Sequence, residues 1–141
     1  MKNTVIVTGG LGYIGSHTVV ELLNANYDVV VADNLSNSSE KVIDGIRQIT
    51  GKSITFVNLD IRDYFKLESL LGFYQQSTIG VIHFAACKSV GESMKEPSKY
   101  YDNNVTGTNN LLKAMKRYKA DNLVFSSSCT VYGQADDLPV T

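Results

Sequence analysis

Thr8-Gly9-Gly10-Leu11-Gly12-Tyr13-Ile14-Gly15 is the stretch that decides how this chain folds, its first glycine lying two residues past the apolar run Val5-Ile6-Val7. Glycines at 9, 12 and 15 let a strand turn tightly into a helix, let backbone approach a phosphate, and let the helix pack closely on its sheet. The spacing predicts a strand over 4–8 and a helix over 13–25. The first turn of that helix carries N–H groups with no intrahelical acceptor, which suits an anion. A second strand over 28–33 ends in Asp33. An acid about 20 residues past the glycines can accept from both hydroxyls of an adenosine ribose and repels a 2′-phosphate. Together these features predict a dinucleotide whose pyrophosphate rests on Gly9, Gly12 and Gly15, with NAD favoured over NADP. The other reading of Asp33 is a turn cap formed by Asp33-Asn34.

Composition bounds the rest. The 141 residues are 43% hydrophobic and 19% charged, enough for one α/β core. A net charge of -1 with dispersed basic residues gives neither a nucleic-acid footprint nor a polybasic membrane anchor. The few apolar residues near Met1 are too short for an export signal or a membrane span, so the expected location is the cytoplasm. Cys87 and Cys129 have no metal-type spacing and are expected as small buried residues, with a reactive thiol as the alternative reading. No metal is expected.

Strands and helices alternate along the chain. Beyond the first two strands we expect a helix over 38–50, a strand over 54–58, a helix over 63–75, a strand over 80–84, a helix over 97–118 and a strand over 122–126. That order specifies a Rossmann-type doubly wound parallel sheet, strand order 3-2-1-4-5, with its ligand crevice at the carboxyl ends. Pro97 suits a helix start. No Pro- or Ser-rich linker interrupts the chain, so one domain over 1–141 is expected. The polar tail from Gln134 to Thr141 is followed by no helix, and we expect a chain truncated after its fifth strand.

The strand ends hold the other candidates. Asp60 is placed either to accept an adenine's exocyclic amine or to serve a helix N-terminus, whereas Asp63 reads as a helix cap. After the fourth strand, Ala85 and Ala86 let the chain pass close beneath a ligand, and Lys88 can reach a nicotinamide-ribose hydroxyl or remain a solvated loop lysine. His83 reads as a satisfied strand residue rather than a base. Ser126-Ser127-Ser128-Cys129-Thr130 brings hydroxyls to the same edge. Helix 97–118 carries Tyr100, Tyr101, Val105, Leu111, Leu112 and Met115, an apolar set broad enough for two partners.

Taken together, the glycine stretch with Ser16-His17, Asp33-Asn34-Leu35 with Asn37-Ser38, His83-Phe84-Ala85-Ala86 with Lys88, and Ser126 to Gly133 resemble the UDP-glucose 4-epimerase family of extended short-chain dehydrogenase/reductases over essentially the whole chain. The resemblance implies a tightly held NAD and interconversion of UDP-glucose and UDP-galactose, a step of galactose metabolism. It implies cofactor contacts from Tyr13, Ile14, Asp33, Asn34, Asn37, Asp60, Ile61, Phe84, Ala85, Ala86, Lys88 and Asn103, with Ser126 on the nicotinamide side. It implies that Ser128 is the catalytic serine at the hexose C4 oxygen, that Thr130 is a substrate contact, and that helix 97–118 forms a homodimer. Ala86 stands where the family usually has glycine, and Cys129 where it has alanine. No carboxylate lies between Ser126 and Gly133, which disfavours the related dehydratases.

The family's general base is the tyrosine of a Tyr-x-x-x-Lys pair, and no such pair follows Ser128. That lysine is what brings a phenol with a pKa of about 10 into service near neutrality. We therefore expect an N-terminal part of an epimerase that is inactive alone. The alternatives are another sugar-nucleotide oxidoreductase or dehydratase of this fold, and a non-catalytic NAD-binding fragment.

Overall fold

β1 (Thr4–Thr8) is buried along its whole length, because its two side-chain sets serve two different cores. Side chains alternate across a strand. Ile6 joins Val30, Ala32 and Val81 on one face of the sheet, while Val5 and Val7 join Val29 and Val31 on the other. A run of consecutive β-branched residues is what a strand covered on both sides requires. The computed structural model describes residues 3–128 together with Val131 and Gly133.

The expected topology is present. β2 (Asp28–Asp33), β3 (Thr55–Asn58), β4 (Thr78–His83) and β5 (Leu123–Phe125) join β1 in an all-parallel sheet of order β3-β2-β1-β4-β5. α1 (Tyr13–Asn24) and α2 (Lys41–Thr50) cover the Val5 face through Val19, Leu23 and Ile46. α3 (Tyr64–Phe73) covers the Ile6 face through Leu67, Leu70 and Leu71.

Beyond β4 the chain forms a short α4 (Val90–Lys95), then α5 (Pro97–Tyr100), a π-helical stretch over Tyr101–Thr106, and α6 (Gly107–Tyr118). The expected helix over 97–118 is thus one continuous helical run with a widened middle. Leu111, Ala114 and Met115 of α6 enter the core beside α3. Gly107 permits that approach, since a Cβ there would lie 2.6 Å from Ile61 Cδ1.

Some boundaries differ from expectation. α2 begins at Lys41 instead of 38, because the Ser38 hydroxyl is bonded to Asp33 and Leu35 adopts φ +59 in the preceding loop. α4 was not expected at all. Among the described residues no helix is long and apolar enough to cross a membrane.

Candidate functional site: the carboxyl edge of the sheet

The register brings Thr8 level with Ala32 and with His83, and His83 level with Phe125. Every strand therefore ends in one row. Ladder-type bonds continue a residue further, from Gly9 N–H to the Ala32 carbonyl (2.8 Å), Phe84 N–H to Thr8 (2.9 Å), Leu59 N–H to Asp33 (3.1 Å) and Ser126 N–H to His83 (3.1 Å). The candidate residues on all five strands thus share one edge.

In the glycine turn each glycine has its own reason. Gly9 takes φ +69 and lies so close to the β4 end that a Cβ would sit 2.6 Å from Ala85 N. A Cβ on Gly15 would come within 2.3 Å of the Gly9 carbonyl oxygen. Gly12 is the N-cap of α1 and supplies no side-chain cap, and the first helical bond runs from Ser16 N–H to its carbonyl (2.9 Å). The N–H groups of Tyr13, Ile14 and Gly15 consequently have no partner among the described residues. Tyr13 and Ile14 are 79% and 56% exposed, so the helix end opens to solvent. Such a row of unpaired donors at the positive end of a helix dipole suits an anion.

Asp33, only 7% exposed, ties the turn to the next strand. Its Oδ2 accepts from Leu11 N–H (3.0 Å), and its Oδ1 accepts from Leu35 N–H (2.9 Å) and the Ser38 hydroxyl (2.8 Å). An ionised carboxylate has roughly four lone-pair sites, so one acceptor position on Oδ2 stays open. The cap reading and the ribose reading of Asp33 are therefore compatible.

Next to it, Asp60 is engaged on both oxygens. Arg62 grips it with Nε on Oδ1 (2.9 Å) and a terminal guanidinium nitrogen on Oδ2 (2.7 Å), Arg62 N–H adds a bond to Oδ1 (2.9 Å), and Asn34 Nδ2 donates to Oδ2 (3.1 Å). The Arg62 hydrogen bond, foremost, holds the Asp60 carboxyl well below the usual carboxylate range against the opposing cost of burial. Asp60 does not cap α3. Asp63 does, its Oδ1 accepting Lys66 N–H at 3.1 Å, as expected. The Ile61 side chain is buried against Gly107, so this residue offers a ligand only main chain, and its N–H has no partner among the described residues. Asn37 is exposed at the same edge.

On the β4 side, Phe84 and Ala85 are half-buried and Ala86 exposed, forming a floor beside Gly9. Asn104, which the sequence reading passed over, fixes the loop that follows. Its Oδ1 accepts Cys87 N–H (2.8 Å) and its Nδ2 donates to the Cys87 carbonyl (2.8 Å), while Asn103 Nδ2 donates to Asn104 Oδ1 (2.9 Å). Cys87 is half-exposed, contrary to the expected burial, because both its main-chain groups are held at the sheet edge by this amide. An Asn pair inside a helical run was the available signal, since Asn is a poor helix former and π-helical stretches gather at functional sites.

Tyr100 secures the far end of the loop. Its hydroxyl accepts Ser89 N–H (2.9 Å) and lies 2.8 Å from both the Ser89 carbonyl and the Glu92 carboxylate; Glu92 in turn pairs with Lys99 (2.5 Å). Lys88, between these anchors, is exposed and has no partner among the described residues. Ser126 and Ser128 are exposed at the end of β5. Thr130 and Cys129 lie outside the described residues.

His83 is a satisfied core residue. Thr108 spends its hydroxyl proton on the Asn104 carbonyl (2.7 Å), so it accepts from His83 Nε2–H (3.0 Å), and Nδ1 accepts the Thr8 hydroxyl (2.5 Å). Burial lowers the imidazole pKa from 6.5 to about 4. The unfolded chain thus takes up a proton over a window in which the folded chain does not, and stability falls as pH drops from about 6.5 towards 4. At pH 5 the protein is expected to be less stable than at pH 7 by about 2 kcal/mol from this residue. Urea unfolding of His83→Asn at both pH values checks it: the dependence should flatten in the variant.

The sheet, the glycine turn and the acidic strand end fit one family. A model of the NAD dependent epimerase/dehydratase family matches residues 5–141. The chain belongs to that family. Within the NAD dependent epimerase/dehydratase family it is 54% identical over 137 residues to the UDP-glucose 4-epimerase of Pasteurella multocida, a match covering 97% of this chain and 40% of that one. Among solved structures, UDP-glucose-4-epimerase from Stenotrophomonas maltophila with bound NAD and formylated UDP-arabinopyranose superposes with TM-score 0.91 at 48% identity, covering 98% of this chain and 40% of that chain. The Bifidobacterium longum UDP-glucose 4-epimerase in complex with NAD+ and UDP gives TM-score 0.90 at 47% identity, over 98% and 41%. The chain spans about 40% of the length of each of these three relatives.

Proposed function

We propose that residues 1–141 are the NAD-binding domain of an epimerase that interconverts UDP-glucose and UDP-galactose by transient oxidation at the hexose C4. The observation that carries this reading is the uncapped first turn of α1 beside the open acceptor position of Asp33, a pairing that matches a pyrophosphate and its adjoining ribose. The likeness to named UDP-glucose 4-epimerases supports the substrate class.

NAD, when bound, supplies the acceptor for a hydride that is afterwards returned to the sugar. The chain's own residues bind and orient. Main-chain N–H groups of Tyr13, Ile14 and Gly15 receive the pyrophosphate, with Gly9 and Gly12 giving clearance. Asp33, Asn34 and Asn37 hold the adenosine ribose, Asp60 and the Ile61 main chain the adenine edge, and Phe84, Ala85 and Ala86 the floor. Lys88 reaches the nicotinamide ribose, with Asn103 and Ser126 on the same side. Ser128 hydrogen-bonds the hexose C4 oxygen and passes its proton, and Thr130 contacts the sugar. No Tyr-x-x-x-Lys pair occurs among the 141 residues, so the group that takes the C4 hydroxyl proton is not supplied here and the chain alone does not turn over.

The whole gene product, incubated with UDP-galactose, is expected to yield UDP-glucose without net accumulation of NADH. Formation of a keto-deoxy sugar nucleotide instead would move the assignment to a dehydratase, and absence of NAD binding would remove the reading altogether.

The partner proposed for the outer face of the 97–118 helical run is a second copy. Leu111, Ala114 and Met115 are buried inward, while Tyr101, Val105 and Leu112 are 69%, 58% and 44% exposed. An isologous pairing through these three side chains would cover both copies at once. Val105→Glu is expected to convert a dimer to a monomer in sedimentation equilibrium without lowering the melting temperature of the monomer.

A further inference from the structure

Arg62 is the main partner of Asp60 at the adenosine end of the edge. Three of the four donors on Asp60 come from it, and its own carbonyl is anchored to α6 by Asn110 Nδ2 (2.9 Å). The fork fixes the plane of the carboxylate, because two parallel N–H···O bonds define an orientation that a single bond leaves free. The one donor on Asp60 from outside Arg62 is Asn34 Nδ2, which shares Oδ2 with the guanidinium and whose 3.1 Å bond is the longest of the four. The main-chain N–H of the next residue, Ile61, has no partner among the described residues, and its side chain is buried against Gly107.

An acceptor and a donor on consecutive residues have a definite complement. A 6-aminopurine presents an amine donor next to the N1 acceptor; a 6-oxopurine presents the reverse, a carbonyl next to N1–H. With the four lone-pair sites of Asp60 filled, an incoming amine takes the place of the Asn34 amide, since the three Arg62 bonds are local and mutually reinforcing. From this geometry we infer that Arg62 is a positioning residue for base selection: its fork turns Asp60 so that an acceptor-only edge faces the purine, and the site thereby rejects 6-oxopurine dinucleotides. This rests on the proposed dinucleotide site and goes beyond it, since NAD binding does not by itself require the fork.

The test is to titrate the protein with NAD and with nicotinamide hypoxanthine dinucleotide, which differ only at the purine 6-position and N1. The unaltered protein should prefer NAD by at least about tenfold. Arg62→Met should lower NAD affinity while leaving that of the hypoxanthine analogue nearly unchanged, so that the ratio shrinks to within about threefold. Arg62→Lys, which keeps the charge and lacks the fork, should lose part of the ratio, and it guards against poor folding of the apolar variant. Equal loss for both dinucleotides, an unaltered ratio, or no preference in the unaltered protein would each overturn the inference. Binding of neither dinucleotide by the unaltered protein would instead overturn the NAD site itself.

Discussion

Gly15→Ala is expected to abolish measurable NAD binding and to destabilise the fold by about 1–3 kcal/mol. The added methyl would sit 2.3 Å from the Gly9 carbonyl oxygen and 2.9 Å from Gly10 Cα, and both neighbours are backbone, with no flexible side-chain end to give way. The Gly9 carbonyl is itself held by Gly12 N–H (3.1 Å), and Gly9 is wedged against Ala85. Relief therefore requires α1 to move away from the turn, and that displaces the N–H row of Tyr13, Ile14 and Gly15 from the position proposed for the pyrophosphate. Gly12→Ala meets the same carbonyl at 3.3 Å and should cost less. Gly45→Ala, in the middle of α2 with nothing within 4 Å, should stabilise by roughly 0.5–1 kcal/mol and leave binding alone. Thermal melts and NAD titrations of the three variants check the ranking. NAD binding by Gly15→Ala within a few-fold of the unaltered chain would show that the turn does not seat the pyrophosphate.

That ranking explains why so much of the fold was legible in advance. The glycine spacing, the doubly buried strand Val5-Ile6-Val7 and the strand–helix alternation are local patterns, and each has few physical solutions. Asp63 as a cap and His83 as a satisfied core residue followed from the same local chemistry. α4 was equally local and still missed: Ser89-Val90-Gly91-Glu92 has the capping-box spacing, and Ser89 Oγ does accept Glu92 N–H at 3.4 Å. Here Glu92 departs from the reciprocal arrangement, since Ser89 N–H is taken by Tyr100 and the carboxylate turns to Tyr100 and Lys99. The amide of Asn104 on Cys87, 17 residues away, depends on how the π-helical stretch meets the end of β4, and the fork of Arg62 on Asp60, two residues away, depends on side-chain rotamers. No periodicity encodes either. Sequence patterns thus specified which residues reach the carboxyl edge, whereas the side chains that hold those residues in place emerged only with the three-dimensional structure.

Asp33 gives the second large effect, and it separates the brace seen in the turn from the ribose contact proposed for the same carboxylate. Asp33→Asn retains the shape but offers one acceptor oxygen where three donors, Leu11 N–H, Leu35 N–H and the Ser38 hydroxyl, now converge on two. Whichever way the amide turns, its NH2 faces a donor, and if Leu11 N–H is the one abandoned it is left buried and unpaired. The cost should be about 1–3 kcal/mol of stability. Binding should change in a way that a general loosening would not. NAD loses the charged acceptor for its ribose and should weaken by about a hundredfold, while NADP, freed from like-charge repulsion at its 2′-phosphate, should weaken far less or gain. Ser38→Ala provides the contrast, because it removes a single donor and opens a second acceptor site on Oδ1 while leaving the charge intact. That variant should keep the preference for NAD. Parallel titrations with NAD and NADP, with stability followed by urea unfolding, distinguish the roles. If Asp33→Asn weakens both dinucleotides by one common factor, Asp33 only braces the turn and the preference for NAD must originate at another residue of the edge.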